Sequence, residues 1–211
     1  YYRTFVIEEK YGFNKSTKRL FFTDKLKGWI LSIILGGAIL AVILWFYNRT
    51  GDYFWIYTWI FIGLFTVFMT LFYSTLIVPL FNKQTPLEDG PLKSAIHEFA
   101  KKAGFELKNI YVIDGSKRST KANAYFSGFG SRKRIVLYDT LIEDLSTGEI
   151  VAVLAHEIGH YKKKHVLVNM ILSLLITGIT LYIFSLFIGN RVLSEALSVD
   201  IPSFHIGLIT F

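Results

Sequence analysis

The chain has 211 residues and a formal net charge of +7, and 52% of its residues are hydrophobic and 17% aromatic. A mean hydropathy of +0.42 excludes an ordinary soluble domain and points to a membrane protein. The absence of cysteine excludes a disulfide framework, a thiolate nucleophile and zinc–sulfur coordination, and the basic residues sit beside apolar spans, where they read as topology determinants and anionic-lipid contacts rather than a nucleic-acid surface.

In chain order, residues 1–27 form a polar, basic and aromatic juxtamembrane segment carrying Lys10, Lys15, Lys18, Arg19, Lys25 and Lys27. Residues 28–82 hold two expected transmembrane helices. The uncharged run 28–48 is long enough to cross about 30 Å of hydrocarbon at about 1.5 Å per residue. Arg49-Thr50-Gly51-Asp52 is a polar turn, and 53–82 is a second uncharged run with Pro79 near its distorted end. Residues 166–190 form a third span, entered from Lys162, Lys163 and Lys164. Residues 191–211 read as a loop followed by the start of a fourth span. The lysines and arginines before the first span, with Lys83, Lys93, Lys101 and Lys102 after the second, place residues 1–27 and 83–165 in the cytoplasm. Because the chain begins at Tyr1 and stops within an apolar run, it is expected to be a piece of a longer protein, and no secretory signal is visible.

The cytosolic insertion, 83–165, has mixed patterning. Leu92, Ala95, Ile96, Phe99 and Ala103 recur at helical spacing and end at Gly104. Ile110-Tyr111-Val112-Ile113 is β-rich, and residues 123–129 and 134–138 read as a hairpin turning at Gly130-Ser131. Ser146 with Glu149 is a capping box opening a helix that runs to about Tyr161, near the membrane surface.

That helix carries His156-Glu157-Ile158-Gly159-His160. Residues four apart stack on one helix face, so His156 and His160 present two imidazoles to one ion. Glu157 is placed to take a proton from water held by that ion and deliver it to a leaving amine. H-E-x-x-H also arises by chance in solvated helices. Here the preceding apolar run, 150–155, predicts a buried helix in which His and Glu need partners, and a metal supplies one. His165 is set aside: an extended motif places its third His ten residues after the first, where Val166 stands, with Gly at the position of Lys163. On a continuing helix His165 points off the ligand face, and an interfacial role fits it. His97 and His205 read as surface or packing residues, and Tyr53, Trp55, Tyr57 and Trp59 as an interfacial belt.

Several stretches together resemble the type 1 CAAX prenyl proteases, integral-membrane zinc metalloendopeptidases. They are Tyr2-Arg3-Thr4-Phe5, Gly12-Phe13-Asn14-Lys15, Gly51-Asp52-Tyr53-Phe54, Pro79-Leu80-Phe81, Gly115-Ser116-Lys117-Arg118-Ser119, Asn123-Ala124-Tyr125-Phe126, Arg134-Ile135-Val136-Leu137 and the His156–His160 signature. The resemblance implies a mainly α, multi-pass helical barrel around a chamber, with an inserted α+β zinc protease domain. It implies one zinc ion per chain held by His156 and His160, with Glu157 as general base. It also implies a peptide or protein substrate, prenylated at a CAAX C-terminus, held by β-augmentation along Asn123, Ala124 and Tyr125; the residues alone fit a plain hairpin strand equally well. The membrane implied is the endoplasmic reticulum in a eukaryote, or the inner or plasma membrane in a bacterium.

The family's third zinc ligand is a Glu in a Glu-x-x-x-Ala-Asp motif, absent from these residues and expected beyond residue 211. Glu195 lacks the Ala-Asp partner and lies across the expected membrane, so it is rejected. The 211 residues alone are therefore expected to be inactive and to bind zinc weakly. Two other functions remain open: a broad quality-control protease of membrane proteins, and a non-catalytic membrane scaffold.

Overall fold

Four short strands organise the residues between the apolar helices, and everything near the His156–His160 helix is referenced to them. The computed structural model describes residues 1–105, 107, 109–127, 134–188, 190–196 and 204. The expected hairpin turn at 128–133, most of the expected fourth span and His205 lie outside the described residues. The chain divides into two units, Tyr1–Lys25 with Phe68–Val166, and Leu26–Val67 with Leu167–Phe211.

The helices in chain order are α1 (Lys18–Thr50), α2 (Phe54–Leu76), α3 (Val78–Phe81), α4 (Pro91–Lys102), α5 (Asp139–Asp144), α6 (Thr147–Lys162), α7 (His165–Phe187) and α8 (Arg191–Ala196). The strands are β1 (Gln84–Pro86), β2 (Asn109–Ile113), β3 (Ala124–Ser127) and β4 (Arg134–Tyr138). The sheet order is β1-β2-β4-β3, so β3 forms one edge. β3 and β4 pair antiparallel, as the expected hairpin requires, while β2 and β4 run parallel with Asn109 opposite Arg134. Ile135, Val136 and Leu137 on β4 are fully buried, the pattern of a strand covered on both faces.

One core cluster joins Ile96 of α4, Ile110, Ala124, Ile135 and Leu137 of the strands, Leu141 of α5, and Ile150 and Leu154 of α6. A second joins Ala100, Phe105 and Ile158, with Phe126 and Tyr161 packed against them. The helix expected at 91–103 and the β run 110–113 correspond to α4 and β2. β1 and α5 had no clear pattern to announce them: three and six residues are too few to display a period.

The N-terminal residues are tied into this first unit. Lys15 N donates to Arg118 O at 3.0 Å and Thr120 N to Phe13 O at 3.1 Å, so the Gly12–Lys15 motif runs beside the Lys117–Ser119 motif. Arg118 grips Asp24 with two bonds, Nε to Oδ2 at 2.7 Å and Nη2 to Oδ1 at 2.9 Å, and also donates to Phe81 O at 2.8 Å. Lys117 Nζ reaches Phe81 O at 2.9 Å and Asp114 Oδ2 at 2.7 Å. Two basic side chains thus clamp the start of α1 and the end of α3 to one turn, with the bidentate geometry that makes arginine the stronger clamp.

Two helical stretches, Lys18–Phe81 and His165–Phe187, are long and apolar enough to cross a membrane by length and composition. Where two separate spans at 28–48 and 53–82 were expected, the first stretch begins at Lys18, because no breaker interrupts residues 18–27. It holds α1 and α2, separated by the 3-10 turn Gly51–Tyr53 with Gly51 at φ 54°. In the second unit Phe54, Phe184 and Phe204 meet edge to face. Trp59 is not part of an exposed belt: its indole N–H donates to Leu174 O at 2.8 Å, and Gly178 leaves room for its ring.

Two expectations follow from this packing. Gly115 lies under the Tyr138 ring, where any Cβ would overlap Cδ1. Gly115→Ala is therefore expected to destabilise the protein by about 1–3 kcal/mol in denaturant unfolding. Burial pushes the Asp139 carboxyl up, but hydrogen bonds from Ser116 Oγ and from the Ser116, Thr140 and Gly115 backbone outweigh it and hold it below its ordinary value. A depressed carboxylate stabilises fully above its unfolded pKa of about 3.9, and that contribution is lost as pH falls through the lower folded value. Stability measured from pH 6 downward should fall more steeply in the wild type than in Asp139→Asn; equal slopes would remove Asp139 from the acid response.

Candidate metal centre and substrate edge

The capping box at the start of α6 forms as expected: Ser146 N donates to Glu149 Oε2 at 2.8 Å. From there the helix register is set by Ile150, Leu154 and Ile158, buried at intervals of four residues. His156 and His160 follow Leu154 and Ile158 by two positions, about 200° around the helix, and both are exposed. The expectation that the apolar run would bury the histidines is corrected here. The run buries the opposite stripe of the helix, and burial of one face turns the other outward.

The two imidazoles still converge. His156 Nε2 and His160 Nε2 lie 3.1 Å apart, with ring centroids at 4.7 Å. Two nitrogens bound to one tetrahedral zinc at about 2.0–2.1 Å are separated by about 3.3 Å, so this pair fits an edge of a zinc coordination sphere. Glu157, half-buried, follows His156 directly on the same helix. Among the described residues no group of three or more His, Asp or Glu side chains converges on a single metal point.

His165 is not where a continuous helix would put it. α6 ends at Lys162, Lys163 and Lys164 bond back to Gly159 O and Tyr161 O, and Lys164 adopts φ 54° before α7 begins at His165. The chain therefore turns, and His165 Nδ1 comes to 2.9 Å from His160 Nδ1. The end of α6 agrees with the expected stop near Tyr161; spacing rules do not show the left-handed turn at Lys164 that brings His165 back. His97 is exposed on α4.

The second part of the site is β3. Ala124 belongs to the cluster containing Leu154, and Phe126 packs with Ile158 and stands edge to face on Phe105 at 5.1 Å. Alternate side chains of the strand thus seat α6. Tyr125 points to the other sheet face, its hydroxyl 3.3 Å from Ser74 Oγ, and burial raises its phenol pKa. Tyr138 N donates to Asn123 O, and Ala124 stands opposite Leu137. In an antiparallel pair this register turns the N–H and C=O of Ala124 and Phe126 away from β4, toward the open edge. The side chain of Asn123, exposed, accepts the Ala124 N–H through Oδ1 at 2.9 Å.

A small mixed sheet seats an H-E-x-x-H helix, in a chain that also holds two helical stretches long and apolar enough to cross a membrane. Residues 1–83 match the family described as CAAX prenyl protease N-terminal, five membrane helices, and residues 86–207 match peptidase family M48. The chain belongs to peptidase family M48. It is 48% identical to CAAX prenyl protease 1 of Saccharomyces cerevisiae, over 89% of this chain and 41% of that protein. It is 43% identical to the CAAX prenyl protease 1 homolog of Arabidopsis thaliana, over 100% of this chain and 50% of that one. The crystal structure of S. mikatae Ste24p superposes with a TM-score of 0.88 at 44% identity, covering 93% of this chain and 46% of that one. The chain spans about half the length of the curated relatives it matches.

Lys164 holds a left-handed conformation that costs a non-glycine residue about 1 kcal/mol. Lys164→Gly is expected to raise stability by about 0.5–1 kcal/mol, seen as a higher thermal midpoint in detergent. A lowered midpoint would mean that the lysine side chain contributes more than its backbone costs.

Proposed function

We propose that this protein is a membrane zinc metalloendopeptidase that cleaves CAAX-type prenylated C-termini. The observation that carries the reading is the His156–His160 nitrogen pair, spaced for one ion on the helix that also bears Glu157. His156 and His160 are the two ligands, through Nε2. Catalytic zinc takes three protein ligands, and the third is assigned to a Glu beyond residue 211. A zinc ion held there supplies Lewis acidity toward water and the scissile carbonyl. The Glu157 carboxylate takes the proton released by the attacking water and returns it to the leaving amine nitrogen.

β3 is the substrate rail. Its outward Ala124 and Phe126 backbone groups offer an extended peptide the hydrogen bonds of an added strand, and Asn123 borders the same edge. The rail role of Asn123, Ala124 and Tyr125 divides accordingly: backbone from Ala124, edge polarity from Asn123, and support from Tyr125 on the far face. The helices form a multi-pass barrel whose apolar wall accommodates the prenyl chain. The lysine and arginine distribution supports a cytoplasmic orientation, in the endoplasmic reticulum membrane of a eukaryotic cell or the inner or plasma membrane of a bacterium. The division proposed with this reading is a juxtamembrane segment 1–27, two transmembrane helices within 28–82, a protease region 83–165, a span 166–190, and a loop with the start of a further span in 191–211.

The test uses the full-length protein in detergent with three substrates: a farnesylated CAAX peptide, the same peptide without lipid, and an unfolded membrane protein. Cleavage confined to the farnesylated peptide, and slowed about 10²–10⁴-fold by Glu157→Gln, is the expected result. Comparable cutting of all three makes the protein a general membrane protease; no cutting by zinc-loaded protein makes it a scaffold.

A further inference from the structure

We propose that His165 is a positioning residue of the metal centre: its Nδ1 accepts the Nδ1 proton of His160 and fixes that imidazole in the tautomer whose Nε2 faces His156. This rests on the reading of His156 and His160 as metal ligands.

Both nitrogens of His160 are engaged, Nε2 at 3.1 Å from His156 Nε2 and Nδ1 at 2.9 Å from His165 Nδ1. A neutral imidazole has one N–H donor and one lone-pair acceptor. If Nε2 offers its lone pair to a metal, the proton sits on Nδ1, and the only role left for the His165 Nδ1 facing it is acceptor. His165 then carries its own proton on Nε2. The two rings cross at 80° with centroids 4.8 Å apart, so the pair is held by the nitrogen contact and not by stacking. A ligand His whose second nitrogen is tied down loses ring rotation and the competing tautomer, and gains basicity at the metal-binding nitrogen.

The juxtaposition is produced by the chain turn. On a continuous helix, five residues carry a side chain about 140° away from its starting face. Here α6 stops, and Lys164 takes the one positive φ found at a non-glycine among the described residues. That turn sets the first residue of α7 against the last turn of α6. Lys164 lies between the two histidines, and its left-handed turn is what brings them together.

The experiment measures zinc affinity of the full-length protein by competition with a fluorescent chelator, and the visible spectrum of the cobalt(II)-substituted protein. The variants are His165→Ala, His165→Asn and His156→Ala. His165→Ala is expected to weaken zinc binding about 10–100-fold and to shift the cobalt spectrum. His165→Asn, whose amide oxygen stands in for Nδ1 as acceptor, is expected to restore both. Should His165→Ala fail to purify, His165→Leu, which fills space without an acceptor, replaces it. Unchanged affinity in His165→Ala, or equal loss in His165→Asn, overturns the positioning role. Unchanged affinity in His156→Ala overturns the ligand reading itself, so the two failures are distinguishable.

Discussion

The arrangement depends on one packing interaction, the ridge of Ile150, Leu154 and Ile158 seated on the sheet. Each of these side chains is buried to 3% exposure or less, contributing about 1.5–3 kcal/mol of burial apiece. A helix can rotate about its axis unless such a ridge locks it, and only one rotation puts His156 and His160 side by side on the free face. The face proposed to bind the metal is therefore a consequence of the apolar face.

The same ridge is referenced to the membrane end of the chain through polar contacts. Arg118 and Lys117 converge on Phe81 O while Arg118 also holds Asp24. A partly buried arginine that makes three bonds to two segments restrains both far better than an exposed pair, whose bonds compete with water. It gives the Gly115–Ser119 motif a structural role beside the His156–His160 motif. Gly115 is needed for the Tyr138 ring, and Ser116 holds Asp139 at the start of α5.

Where local pattern and tertiary context agreed, the sequence was readable. The β3–β4 hairpin, α4 and the Ser146–Glu149 box all follow from residues within a few positions of one another. The pairing of His156 with His160 follows from helix geometry alone. Readability ended where a longer contact decided the outcome. The histidines of α6 were expected to be buried because an apolar run shows that a helix is buried and not which stripe. His165 was misplaced because a left-handed lysine has no sequence signature. β1, with Pro86 at its end, is an edge strand that only its pairing to β2 defines.

One strand does two kinds of work, and its geometry explains why they do not conflict. In β3 the side chains stand perpendicular to the sheet while the backbone groups lie within it. Ala124 and Phe126 can therefore use their side chains to hold α6 and their backbone to face the open edge. Asn123 Oδ1 satisfies the Ala124 N–H at that edge, which blunts pairing with a stray strand in the way short, polar edges do. The bond is local, to the adjacent residue, and such a bond is readily exchanged for one from an incoming backbone carbonyl. Because backbone groups carry no side-chain identity, an edge of this kind reads that a chain is extended and not what its sequence is. For the proposed rail, selectivity then has to come from elsewhere, from the length of chain that reaches the helix or from whatever is attached to its end.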